Sequence, residues 1–136
     1  MRTLALLTAF SPILGLTTLV LAQAPVSMVQ ILSDPNSVVQ RKAPISTVGY
    51  LVWPGETILF LTDDHAQALD FSSSIDIIDD TDDGALQALP CFDRYVSVTG
   101  TPIFLEGGRV ALTDIQSIRW TGGVSGGTSC YPAPSD

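Results

Sequence analysis

Lysine is almost missing from this chain. Its 136 residues hold 6 lysines and arginines against 14 aspartates and glutamates, and Lys42 is the sole lysine. Proteins that bind nucleic acid gather such cations, because neutralising phosphate supplies most of their affinity. A nucleic-acid partner is therefore not expected. Histidine occurs once, at His65, and cysteine twice, at Cys91 and Cys130. A transition-metal site wants three or four converging ligands, and only His65 with Asp63 can be named for one, so that reading is weak. The cysteines do not form a C-x-x-C, which removes the usual redox motif, and no G-x-S-x-G nucleophile elbow is present. Internal repeats are also lacking.

The first residues, "MRTLALLTAFSPILGLTTLVLA", carry one positive charge at Arg2, an apolar run and then small residues at a cleavable spacing. That is the layout of a secretory signal peptide. Cleavage after Ala22 places Val20 and Ala22 at the recognition positions, whereas cleavage after Ala24 would leave Pro25 beside the cut. An uncleaved anchor is the alternative, since about 17 to 25 apolar residues can span a bilayer, but Ser11, Pro12 and Gly15 interrupt the run. No cysteine follows it to carry a lipid. We expect a periplasmic or secreted protein with no stable membrane insertion after residues 1–22 are removed.

Removing 22 of the 136 residues leaves 114, and with Arg2 gone the net charge falls from -8 to -9. A chain of that size makes one domain with one core. In an oxidising compartment its isolated pair Cys91 and Cys130 most simply forms a disulfide. Closing the 38 residues between them contributes about 4 kcal/mol in the chain-entropy picture.

Along the chain, "VSMVQILSDP" predicts a short helix over residues 26–33. Ser27 is its N-cap, Gln30 completes a capping box, and Val26 with Ile31 makes a hydrophobic staple. Met28, Val29 and Leu32 are expected to face the core, and Pro35 to stop the helix. From Ile45 the period becomes two. "ISTVGYLVW" reads as a strand with a bend or bulge at Gly49, "PGE" as a turn and "TILFL" as the return strand. "TDDHAQAL" predicts a helical segment opened by an aspartate cap, and "SIDII" a third strand. "RYVSVTG" alternates cleanly until Gly100 ends or kinks it, and "PIFLEGGRVAL" is a hairpin turning at Glu106, Gly107 and Gly108. In "TDIQSIRW" we expect Ile115, Ile118 and Trp120 inward, with a bulge at the step of three between the isoleucines. "TGGVSGGTSCYPAPSD" is a tail that stays mobile unless Cys130 pins it. The division is residues 1–22 as leader, 23–44 as helix and turn, 45–120 as barrel and 121–136 as tail. The fold class is mainly β, a small OB-like antiparallel barrel of five or six strands behind a short N-terminal helix.

The motifs "ILSDP", "STVGYLVW", "LFL", "VSVTG" and "IQSI", spread over residues 26–120, resemble those of a loose group of small exported bacterial proteins of unknown function with an OB-like fold. "VVQRKAP" stands where a glycine-lysine step would be expected in that group. The resemblance implies a fold and carries over no functional residue.

"IDIIDDTDDG" is the most chemical-looking stretch. Counted from Asp79, Thr81, Asp83 and Gly84 loosely suit an EF-hand calcium loop, but the twelfth position, which needs a bidentate glutamate, is Pro90. A looser calcium site from Asp79, Asp80, Asp82 and Asp83 is the alternative to a solvated turn. An enzyme needs a nucleophile, a base and an orienting group. Ser72, Ser73 and Ser74 lie near His65 in sequence but look like the approach to a strand. Among the aromatic residues, which alternation mostly buries, Trp53 and Tyr95 are the two expected at the surface as a binding face. The expected function is a non-catalytic binding module of the bacterial cell envelope whose partner is another envelope protein, a peptide or a glycan. The alternatives are a calcium-binding module, a small hydrolase-type enzyme and a structural component of a larger assembly.

Overall fold

The computed structural model describes residues 25–122 and 127–134, together with Gly15. The expected leader and its cleavage after Ala22 lie outside the described residues except for Gly15. No helix among the described residues is long and apolar enough to cross a membrane.

Two short helices precede the sheet. In α1 (Met28–Ser33) the Ser27 hydroxyl accepts from the Gln30 N–H at 3.1 Å, as a capping serine should. Met28 and Ile31 are its buried positions, whereas Val29 is 60% exposed. The expected inward set of Met28, Val29 and Leu32 is thus corrected, because a six-residue helix offers one stripe at i and i+3, and Leu32 packs only at its margin. Pro35 does end α1, but it also opens α2 (Pro35–Val39). Asp34 caps that helix by accepting from Ser37 N–H at 3.5 Å, and a first-turn proline lacks only an N–H that would have no helical partner there.

The strands are β1 (Ile45–Val52), β2 (Ile58–Phe60), β3 (Ser74–Ile77), β4 (Arg94–Phe104), β5 (Val110–Trp120) and β6 (Ser129–Tyr131). The first five close in the order β1-β2-β3-β5-β4 and back to β1, and β6 adds outside on β5. Mainly β structure, a small closed barrel with one extra strand and short N-terminal helices are therefore observed as expected. One detail differs from a wholly antiparallel barrel. Four pairs of the ring are antiparallel and β3 with β5 is parallel. A ring of five cannot alternate direction all the way round, so one parallel pair is a topological necessity.

Two glycines make the close packing possible. Pairing of β1 with β4 runs unbroken from Ile45 to Leu51, so Gly49 is no bulge. A Cβ there would lie 2.6 Å from the Phe60 carbonyl oxygen and 2.7 Å from Leu59 Cγ, so it is the approach of β2 that requires glycine. Gly100 does not end its strand. It sits where β4 and β5 shift register between Thr99 and Thr101, and Ile115 Cδ1 would meet its Cβ at 2.7 Å. The bulge lies on β5, between Thr113 and Ser117, which accounts for the Ile115 and Ile118 spacing; both are buried, and Trp120 packs at the margin of the core.

Leu51, Leu59, Ile75, Val96, Val98, Leu112 and Ile118 form the interior with Ile31, Val38 and Leu86. A disulfide joins Cys91 to Cys130 with Cα atoms 6.0 Å apart, as the two-cysteine count implied. It belongs to an oxidising, extracytoplasmic setting. It also pins part of the tail, since Cys130 lies in β6, whose residues pair with Ile118 and Arg119. Residues 123–126, 135 and 136 lie outside the described residues.

Candidate functional site

A second, smaller cluster lies outside the barrel and supports the site. β-Strand alternation turns Leu59 inward and sends Ile58 and Phe60 to the other face, beside the outward Tyr50 and Val52. Helix α3 (Asp63–Gln67) covers them with Ala66. Its cap is Thr62 rather than the expected aspartate, since the Thr62 hydroxyl accepts from His65 N–H at 3.4 Å.

Between this platform and the approach to β4 runs a groove of about 460 Å³, lined by Tyr50, Val52, Trp53, Pro54, Ala66, Gln67, Leu69, Phe92 and Asp93. Its volume falls in the range of ordinary ligand sites. Trp53 and Leu69, 48% and 54% exposed, form its apolar lips. Tyr50 meets Tyr95 edge to face with ring centroids 5.1 Å apart. Burial first, then the negative charges of Asp93 and Asp63, push the Tyr50 phenol above its ordinary value. The groove therefore combines aromatic walls with a negative field.

The backbone holds Leu69 there at a cost. α3 ends in a Schellman motif, with Leu69 N–H donating to the Ala66 carbonyl at 3.1 Å and Asp70 N–H to the His65 carbonyl at 2.9 Å. Glycine is usual at the position Leu69 occupies, and Leu69 has φ +51°. Across the groove Asp93 has φ +60°, its N–H bonded to the Leu51 carbonyl at 2.7 Å. A bulky residue in the left-handed region costs roughly 1–2 kcal/mol, whereas glycine costs about 0.5–1 kcal/mol in chain entropy. Leu69→Gly is accordingly expected to stabilise the fold by about 0.5–1 kcal/mol, read as a higher urea midpoint. A lower midpoint would show that packing of Leu69 outweighs its strain.

Of the residues named from sequence, Trp53 lines the groove and Tyr95, 38% exposed, stands behind it. The Tyr95 hydroxyl donates to Asp63 Oδ1 at 3.0 Å and accepts from Asp63 N–H at 3.2 Å, so it pins α3 to β4. Asp63 is thus directed to Tyr95, while His65 Nδ1 lies 2.6 Å from Thr62 Oγ1 and its Nε2 4.0 Å from Asp70. The Asp70 carboxyl is held below its ordinary value by the Ser72 and Ser73 hydroxyls.

The aspartates of "IDIIDDTDDG" turn to different tasks. Asp79 accepts from the Thr81 N–H and hydroxyl and from Leu86 N–H. Asp80 accepts from Thr113 and from Asp114 N–H at 3.2 Å, holding the β5 bulge, Asp83 accepts from Ala85 N–H, and Asp82 is exposed. Among the described residues no three His, Cys, Asp or Glu side chains are grouped to hold a metal ion. Thermal midpoints in millimolar calcium and in chelator are expected to coincide, whereas a site at a hundred times its dissociation constant would add about 2.7 kcal/mol.

Leu69, Phe92 and Asp93 were missed from sequence. The only local signal was a helix that stops in "AQALDF" without glycine. Comparison of the chain with family models, curated proteins and solved structures finds no match.

Proposed function

We propose that this protein is an exported, non-catalytic binding module of the bacterial cell envelope, an OB-type barrel that presents the groove around Trp53 to another molecule. Export is supported by the leader pattern of residues 1–22 together with the Cys91–Cys130 disulfide. The barrel type is supported by its closing order and five-stranded ring. A binding rather than catalytic role is supported by His65, the side chain a hydrolase reading depends on most, which is engaged by Thr62 in the cap of α3.

The observation that carries the reading is Leu69. A half-exposed leucine in a left-handed backbone position is favoured neither by burial nor by conformation, and it stands beside an exposed tryptophan. Strained backbone positions of this kind cluster at binding and active sites. The test is a photo-crosslinking side chain in place of Gln67, which lines the groove, activated in living cells. One discrete adduct, absent when Trp53→Ala is added, is expected. Adducts only from positions on the outer face of β5 would overturn the assignment of this face.

A further inference from the structure

Trp53 stands between two recesses. One is the groove, with Asp93 in its wall; the other, about 340 Å³, is lined by Glu56, Asp76 and Asp79 with Trp53 itself. The acids of the second recess are not equivalent. Asp76 is paired with Arg109 at 2.7 Å, and Asp79 is used within its own turn. Glu56 and Asp93 form no ion pair among the described residues. Three arginines have other contacts: Arg94, whose charge also reaches Tyr50, lies 4.5 Å over the Trp120 ring, Arg109 is on Asp76, and Arg119 donates to the Gly127 carbonyl. An exposed tryptophan is thus flanked on both sides by carboxylates that have no ion-pair partner among the described residues, on a chain whose net charge is -8.

We infer that the occupant of this surface is a basic peptide segment whose lysine or arginine side chains straddle Trp53, with one cationic head toward Asp93 and another toward Glu56. This rests on the groove being the binding face. The chemistry follows from the parts. Aliphatic stems of lysine and arginine lie along apolar walls while their heads stay polar, and Trp53, Leu69 and Val52 supply such walls. The faces of Trp53 and Tyr50 attract a cation, and the two carboxylates complete its neutralisation. A neutral sugar would leave both carboxylates uncompensated, and an anionic one would be repelled.

The test uses the exported protein with its disulfide intact and follows the Trp53 indole and Leu69 amide signals by NMR. Three probes are added: a capped peptide alternating lysine and alanine, its glutamate-alanine counterpart, and chitotetraose. The lysine peptide alone is expected to move both signals. Asp93→Asn and Glu56→Gln should each weaken it by up to about fivefold, the effect of losing one exposed charge pair. The double variant should lose most of the salt dependence. Asparagine tolerates the left-handed conformation of residue 93, so that variant keeps the fold. Signals moved by chitotetraose and not by the lysine peptide would overturn the cationic occupant and leave the groove as the binding face. Equal affinity in the double variant would also overturn it. Signals unmoved by every probe, together with failure of the Gln67 crosslink, would remove both readings.

Discussion

Replacing Cys91 and Cys130 together by serine is expected to lower the unfolding free energy by about 4 kcal/mol. The two residues are 39 positions apart in sequence, and their bond restricts the unfolded chain over that whole loop. Domains of this size are stable by only about 5–15 kcal/mol, so the loss is a large fraction of the total. The effect has a folded-state part as well. β6 has three residues, and its pairing with β5 reaches only Ile118 and Arg119. Without the bond, that strand is held by little more than a short ladder next to its cysteine. Urea unfolding of the oxidised protein and of the double variant measures the difference. A loss below about 1 kcal/mol would mean that the reduced, unfolded chain already keeps the two segments close.

Gly49→Ala is the second change expected to be severe, at about 3 kcal/mol, near the upper end of ordinary overpacking. The added methyl group would sit 2.6 Å from a backbone oxygen, that of Phe60, and 2.7 Å from Leu59 Cγ. A side-chain tip can rotate away, but a carbonyl in a barrel strand cannot move without shifting the ladder between β1 and β2. Val48→Ala, one residue earlier on the exposed face, is the matched control and should change stability by no more than about 0.5 kcal/mol. Equal effects of the two substitutions would show that β2 yields easily and that the glycine reflects something other than its approach.

The regular parts of the fold were readable because their signals are local. β-Branched runs separated by "PGE" and "EGG" mark hairpins, and the turn at Gly107 and Gly108, with φ +87° and +83°, lies where the glycines place it. Ser27 announced the start of α1, and the cysteine count implied the disulfide. What escaped depended on partners distant in sequence or on a residue with two meanings. Pro35 stops one helix and starts the next, and only the capping role of Asp34 separates those meanings. Gly49 looked like an irregularity of its own strand, while its reason lies on β2. The aspartates of residues 79–83 read as a solvated turn with a looser ligand set as the alternative, and no spacing rule announced that three of them accept from backbone N–H groups, including that of Asp114, 34 residues from Asp80. The groove was hardest to foresee, since its walls come from β1, the end of α3 and the segment before β4. Trp53 was visible as an exposed aromatic, but no spacing rule joins it to Leu69 and Asp93.

Cys91 immediately precedes Phe92 and Asp93, so the groove and the disulfide share one segment. One wall of the groove is tethered through Cys91 to β6, and oxidation of the two sulfurs is expected to restrict the motion of that wall. A newly made chain in a reducing environment has the same lining residues without that tether. On the proposed reading of this groove as a binding face, its affinity for a partner is expected to depend on whether that pair of sulfurs is oxidised.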